Sequence, residues 1–134
     1  MSRGQIRNEL YNKQTVDFSL LRYKNITPTD IDGKLHFFEI ANEVFVFIEI
    51  KLIGVMCQGG QRLAFERLTD IIPKPTIYII AEHNVKDPKI AIMAHDCLVR
   101  ECRFLGQWRT PASWRLKELI DWFLKKYGFE AYIQ

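Results

Sequence analysis

The apolar residues of this chain change period along its length, and the changes divide it into elements. Residues 5–13 (QIRNELYNK) are polar apart from Ile6 and Leu10, one turn apart, and Tyr11, a spacing that predicts a short helix. After Asp17 to Lys24 comes Ile26-Thr27-Pro28-Thr29, where Pro28 imposes extended or turn geometry on its neighbours. Leu35, Phe37 and Ile40 open an apolar segment, Ala41-Asn42-Glu43 reads as a turn, and residues 44–51 (VFVFIEIK) are rich in β-branched and aromatic side chains. A hairpin is expected, and its second strand is apolar on both alternating faces, as a central strand covered on both sides would be.

The next stretch, LIGVMCQGG, is expected to be a loop, and residues 61–72 (QRLAFERLTDII) a helix stopped by Pro73 and Pro75. Residues 76–82 (TIYIIAE) predict another buried strand, and strand, helix, strand in that order implies a right-handed crossover between parallel neighbours. Two further strands are expected at residues 89–95 and 97–105. A final helix, starting at Pro111 or Ser113 and running to Tyr127, carries Leu116, Leu119, Ile120, Phe123, Leu124 and Tyr127 on one stripe and ends at Gly128. The expected fold is α/β, a mixed sheet of four or five strands flanked by helices, in a single domain over residues 1–134.

Composition narrows the class. A chain of 134 residues with 48% hydrophobic and 26% charged residues can bury a core of its own without disulfides or a structural metal. Its three cysteines, Cys57, Cys97 and Cys102, contain no C-x-x-C pair, so they read as reduced thiols and the expected location is the cytoplasm. The polar N-terminus does not read as a signal sequence, and charges interrupt every apolar run, so no membrane contact is expected. The net charge of +3 is unevenly spread: Arg100, Arg103, Arg109, Arg115, Lys117, Lys125 and Lys126 outnumber the acids after residue 97, a bias suited either to phosphate contacts or to a solvated helix face.

Candidate chemistry concentrates at the end of the central strand. Alternation puts Glu49 and Lys51 on one face, in line with Phe45 and Phe47, so an acid and a base emerge side by side where the strand otherwise wants to be dry. With the hairpin turning at residues 41–43, Asp32 is expected opposite a residue between 49 and 53, and Asp30 within one strand repeat. Two carboxylates and a lysine suit phosphodiester hydrolysis. Carboxylates offer hard oxygens to Mg²⁺, and a lysine can orient or activate water. The same residues would also make an ordinary surface ion cluster at a fraying strand end. Gln61 shares a predicted helix face with Phe65, Leu68 and Ile72, in the first turn, where its amide could reach the same sheet end; it could equally cap the helix. Arg62 is a candidate phosphate contact. Trp108, beside Arg109, could stack on a splayed base or be covered by core or interface. His36, His83 and His95 lack metal-site spacing, and no nucleophile elbow or Cys–His pattern is present.

The blocks ITPTDIDG, VFVFIEIK and QGGQRLAFERL, within residues 26–68, resemble the PD-(D/E)XK nuclease superfamily, and look like a compact branch found largely in bacteriophages and mobile elements and similar to Holliday junction resolvases. The resemblance implies a restriction-endonuclease-like core and a Mg²⁺-dependent DNA endonuclease, with Mn²⁺ able to substitute. It makes Asp32 the first acidic ligand, Glu49 the second, the carbonyl of Ile50 a third, Lys51 the catalytic lysine and Gln61 the glutamine of the following helix. Ile31 precedes Asp32 where the family carries a proline, while Pro28-Thr29-Asp30 stands two residues earlier, so Asp30 or Asp32 is the first ligand. By order, Glu9 matches an acidic residue that members often add from an N-terminal helix; a solvent-facing glutamate is the alternative. Arg62, Arg109 and Arg115 are the expected DNA contacts. The implied substrate is branched or duplex DNA in a host cytoplasm, cut by a homodimer because a junction needs two active sites. The rival activities are a flap, nicking or single-strand-specific nuclease, and the rival class is a non-catalytic nucleic-acid-binding accessory protein.

Overall fold

The structure, a computed structural model, describes residues 14–32, 35–55 and 59–134. The elements in chain order are β1 (Val16–Asp17), β2 (Thr29–Asp32), β3 (Leu35–Ile40), β4 (Val44–Leu52), α1 (Gly59–Ile71), β5 (Thr76–His83), β6 (Ile92–Met93), β7 (Leu98–Phe104), β8 (Gln107–Arg109) and α2 (Leu116–Lys126). Single 3₁₀ turns follow β6 and α2. The helix expected at residues 5–13, with Glu9, and Cys57 lie outside the described residues.

A mixed six-stranded sheet in the order β2-β3-β4-β5-β7-β8 forms the centre. The β3–β4 hairpin turns through Ala41 and Asn42, both at positive φ, with Glu43 N–H donating to the Ile40 carbonyl at 2.9 Å. Its register sets Leu35 opposite Glu49 and Ile40 opposite Val44. β4 and β5 run parallel, with Glu49 beside Ile80 and Lys51 beside Glu82, as the strand, helix, strand pattern requires. The sheet is wider than expected because short flanking strands join it: β2, which follows Pro28, and the three-residue β8.

Among the described residues, each face of the sheet carries one helix. On one side, Val46, Ile48, Ile50, Ile77, Ile79 and Phe104 pack under Leu116, Leu119, Ile120, Phe123 and Leu124 of α2. Tyr23 completes this core, its hydroxyl donating to Asp121 Oδ1 at 2.8 Å, and burial drives its acidity well below that of a free tyrosine. Cys102 is buried here too, and burial pushes its thiol up to about 11, as for an inert structural cysteine. On the other side, Leu35, Phe47, Tyr78 and Ile80 form a smaller cluster with Phe37, Phe65, Ile72 and Trp108, beneath α1.

Three expectations about elements are corrected. The final helix begins at Leu116, because Leu116 N–H donates to the Cys97 carbonyl and Val99 N–H to the Trp114 carbonyl, holding the preceding residues against β7. Residues 89–95 hold only the two-residue β6, which pairs in parallel with β1 before the chain enters a 3₁₀ turn. α1 starts at Gly59 and is rotated from the predicted face. Thr69, whose hydroxyl donates to the Phe65 carbonyl at 2.6 Å, is buried, and Leu68 is exposed.

Ions fasten α1 as well. Arg103 Nε donates to Asp70 Oδ1 at 3.0 Å and Nη2 to Oδ2 at 2.6 Å, and these bonds hold the Asp70 carboxyl below its ordinary value of 3.8. A depressed folded value means stabilisation that is complete above pH 3.8 and lost as pH falls through the folded value. Asp70→Asn should cost about 0.5 kcal/mol at neutral pH, given solvent screening, and should flatten the loss of stability below about pH 4. Urea denaturation at several pH values measures both.

Candidate functional site

Where β4 and β5 end, the α1 side of the sheet changes from apolar to charged. Glu49 follows Phe47 on that face, and it is only 1% exposed. A carboxylate so buried requires partners. Lys51, the next residue on the same face, places Nζ 3.1 Å from Glu49 Oε1. Tyr78, fully buried on β5, donates its hydroxyl to Glu49 Oε2 in a short hydrogen bond. The alternative of an ordinary surface ion cluster at a fraying strand end does not hold for Glu49. The acid belongs to the core, and the lysine, with its side chain 19% exposed, connects it to solvent.

Further ion pairs continue the charged row. Glu82, beside Lys51 in register, accepts from Arg100 Nε at 2.9 Å, and Arg100 Nη1 donates to the Val55 carbonyl at 2.8 Å, tying the chain after β4 to β7. Arg62 donates to Glu101 Oε1 at 2.8 Å and lies 3.8 Å above the Trp108 ring, while Trp108 Nε1 donates to Glu66 Oε1 at 2.6 Å. Trp108 is thus half-buried under a guanidinium. Gln61 is half-buried in the first turn of α1, one turn before Phe65.

The expected place of Asp32 is corrected. It does not face residues 49–53 across the β3–β4 hairpin, because the chain reverses after it and β3 begins only at Leu35. Asp32 lies on β2 opposite Leu35, which itself lies opposite Glu49, so the three backbones form a row and Asp32 is two strand spacings, roughly 10 Å, from Glu49. Its side chain lies outside what the structure describes. Asp30 belongs to the other face. It pairs with His36, which pairs with Ile48 of the α2-side core, and its Oδ1 is 4.0 Å from His36 Nε2. Arg109 and Arg115 are also on the α2 side: Arg109 pairs with Cys102, and Arg115 precedes α2 with Nη1 donating to the Asp96 carbonyl at 3.1 Å.

The chemistry of these donors bears on Mg²⁺, which takes hard oxygens from one or two carboxylates and keeps several waters. Glu49 is a ligand of that kind, and Ile50 follows it within the β4–β5 ladder. Among the described residues no group of three or more His, Cys, Asp or Glu is arranged to hold a metal. Both oxygens of Glu49 already have partners, Lys51 Nζ at Oε1 and the Tyr78 hydroxyl at Oε2. Sequence reasoning missed Tyr78, Glu82, Arg100 and Glu101. Alternation in TIYIIAEH was the available signal, since it sets Tyr78, Ile80 and Glu82 on one face.

The chain matches no family model, and neither a curated protein nor a solved structure proves similar to it. Among the described residues no helix is long and apolar enough to cross a membrane.

Lys51→Ala should destabilise the fold by about 3 kcal/mol, because it leaves Glu49 buried with one partner fewer. Adding Glu49→Gln in the same chain should recover more than half of that loss. Guanidinium denaturation of the wild type, both single variants and the double variant measures the coupling; additive losses would contradict it.

Proposed function

We propose that the chain is a Mg²⁺-dependent DNA endonuclease with a restriction-endonuclease-like core, acting on branched DNA as Holliday junction resolvases do. The observation that carries the reading is the placement of Glu49 and Lys51: an acid and a base on one face, at the carboxyl end of a central strand, bonded to each other at the edge of an apolar cluster. The element order also supports it, since the antiparallel run β2-β3-β4 leads through α1 to the parallel β5, and Asp32 lies in the backbone row of Glu49.

In this reading Glu49 is the anchor of the centre. The Tyr78 hydroxyl fixes one of its oxygens and so holds the carboxylate in one orientation. Lys51 is the partner nearer to solvent, and its ammonium can leave Oε1 to hold a phosphate oxygen or orient the attacking water. Gln61, in the first turn of α1, would add an amide to this centre. A bound Mg²⁺ supplies neutralisation of phosphate charge and a more acidic water. Asp32 is the first acidic residue of the pair, because Asp30 is turned to His36. The whole assignment extends to a homodimer, since a four-way junction is resolved by two cuts.

A second reading has its own observation. Each oxygen of Glu49 already has a partner, as in a structural ion pair, and a non-catalytic nucleic-acid-binding protein could retain such a centre.

Cleavage of supercoiled, single-stranded, flap and four-way junction DNA with Mg²⁺ or with chelator separates the two. The nuclease reading expects cutting that needs the cation, fastest on the junction. It also expects Glu49→Gln to slow cutting by at least about 100-fold while a cooperative melt is retained. Absence of cutting on every substrate by a folded wild type would leave the structural reading standing.

A further inference from the structure

Across the sheet from Glu49, the α2 side carries an open aromatic groove. Phe104, Arg109, Pro111, Trp114, Leu119 and Trp122 line a cavity of about 230 Å³. Trp122 is 38% exposed although Phe123 and Leu124 beside it are fully buried. The Trp122 ring meets Trp114 at 6.2 Å and Phe104 at 5.6 Å, each nearly at a right angle. Perpendicular rings make a corner, into which a flat ring can enter with its plane on one indole and its edge against another ring.

The volume is below that of an ordinary drug-sized site and suits a single ring system. The rim is cationic. Arg109 Cζ lies 5.5 Å from the Phe104 ring and Lys126 Nζ 5.8 Å from the Trp122 ring, and no carboxylate lines the cavity. Of the acids on α2, Glu118 accepts from the Arg115 N–H at 2.9 Å, and Asp121, next to Trp122 in sequence, accepts from the Tyr23 hydroxyl at 2.8 Å and Lys117 Nζ at 2.7 Å. Stacking faces bordered by exposed cations are the features by which proteins hold single-stranded nucleic acid.

We propose that this groove binds an unstacked base of a single strand, with Trp114 and Trp122 as its platform and Arg109 and Lys126 taking the adjoining phosphates. The site is on the opposite face of the sheet from Glu49 and does not depend on cleavage there. It engages a displaced or unpaired strand and discriminates against intact duplex, whose bases are already stacked.

The probe is a fluorescently labelled twelve-nucleotide oligothymidylate, measured by anisotropy in chelator so that no cutting occurs. Trp122→Ala should weaken binding about tenfold, and Trp122→Phe should restore most of it. Arg109→Gln with Lys126→Gln should lower affinity and flatten the salt dependence by about 1.4 units of slope if both phosphate contacts are lost. That second variant changes two exposed side chains, so it carries the test if Trp122→Ala melts early. Wild-type affinity for the oligonucleotide in the double-glutamine variant would overturn the proposal. So would sedimentation showing that Trp122→Ala or Trp122→Phe dissolves a dimer without changing oligonucleotide affinity, which would assign the groove to a second copy of this chain.

Discussion

A carboxylate with 1% of its surface exposed is the constraint on which the rest of this architecture depends. Removing Glu49 from water costs several kcal/mol unless its oxygens are bonded, and the fold offsets that cost by bringing two residues to it. Strand alternation delivers Lys51 on the same face. The parallel register of β4 and β5 brings Tyr78 within reach diagonally, one strand repeat from Ile80, the direct partner of Glu49. That register exists only because the chain crosses over through α1, so the crossover, the small apolar cluster and the charged centre form one unit.

The two faces of the sheet are stabilised by different means. The α2 side is an apolar core in which the helix stripe and the sheet interlock. The α1 side is fastened by charges: Arg62 to Glu101, Arg103 to Asp70 and Glu66, and Trp108 to Glu66. Several apolar residues of α1, Leu63, Leu68 and Ile71, are exposed, so burial alone does not hold it in place. A helix attached through ion pairs borders a polar sheet end, where Lys51 is the residue that meets solvent.

The sequence made the central hairpin, the crossover and the α2 stripe legible because each rests on a strong local period. It made the shared face of Glu49 and Lys51 legible for the same reason. What it hid was depth: VFVFIEIK does not say whether a carboxylate at its end is dry, since that depends on Tyr78 arriving from a strand 29 positions later. The partner of Asp32 was hidden because residue spacing cannot tell whether the chain continues the hairpin or reverses after it. The rotation of α1 was hidden because Leu68 and Thr69 both fit a 3.6-residue period, and ion pairs to β7 settle which of them turns inward. Arg62 looked available for phosphate because its partner, Glu101, is on a distant strand.

In the proposed centre, Glu49 would be a cation ligand as well as a satisfied core acid. A titration of Mn²⁺ into the purified protein, followed by electron paramagnetic resonance of the free ion, tests it most directly, because it needs no knowledge of the DNA substrate. Saturable binding of about one Mn²⁺ per chain, competed by Mg²⁺, is expected, and its loss in a folded Glu49→Gln variant. No saturable binding in the wild type, or equal binding in the variant, would contradict it.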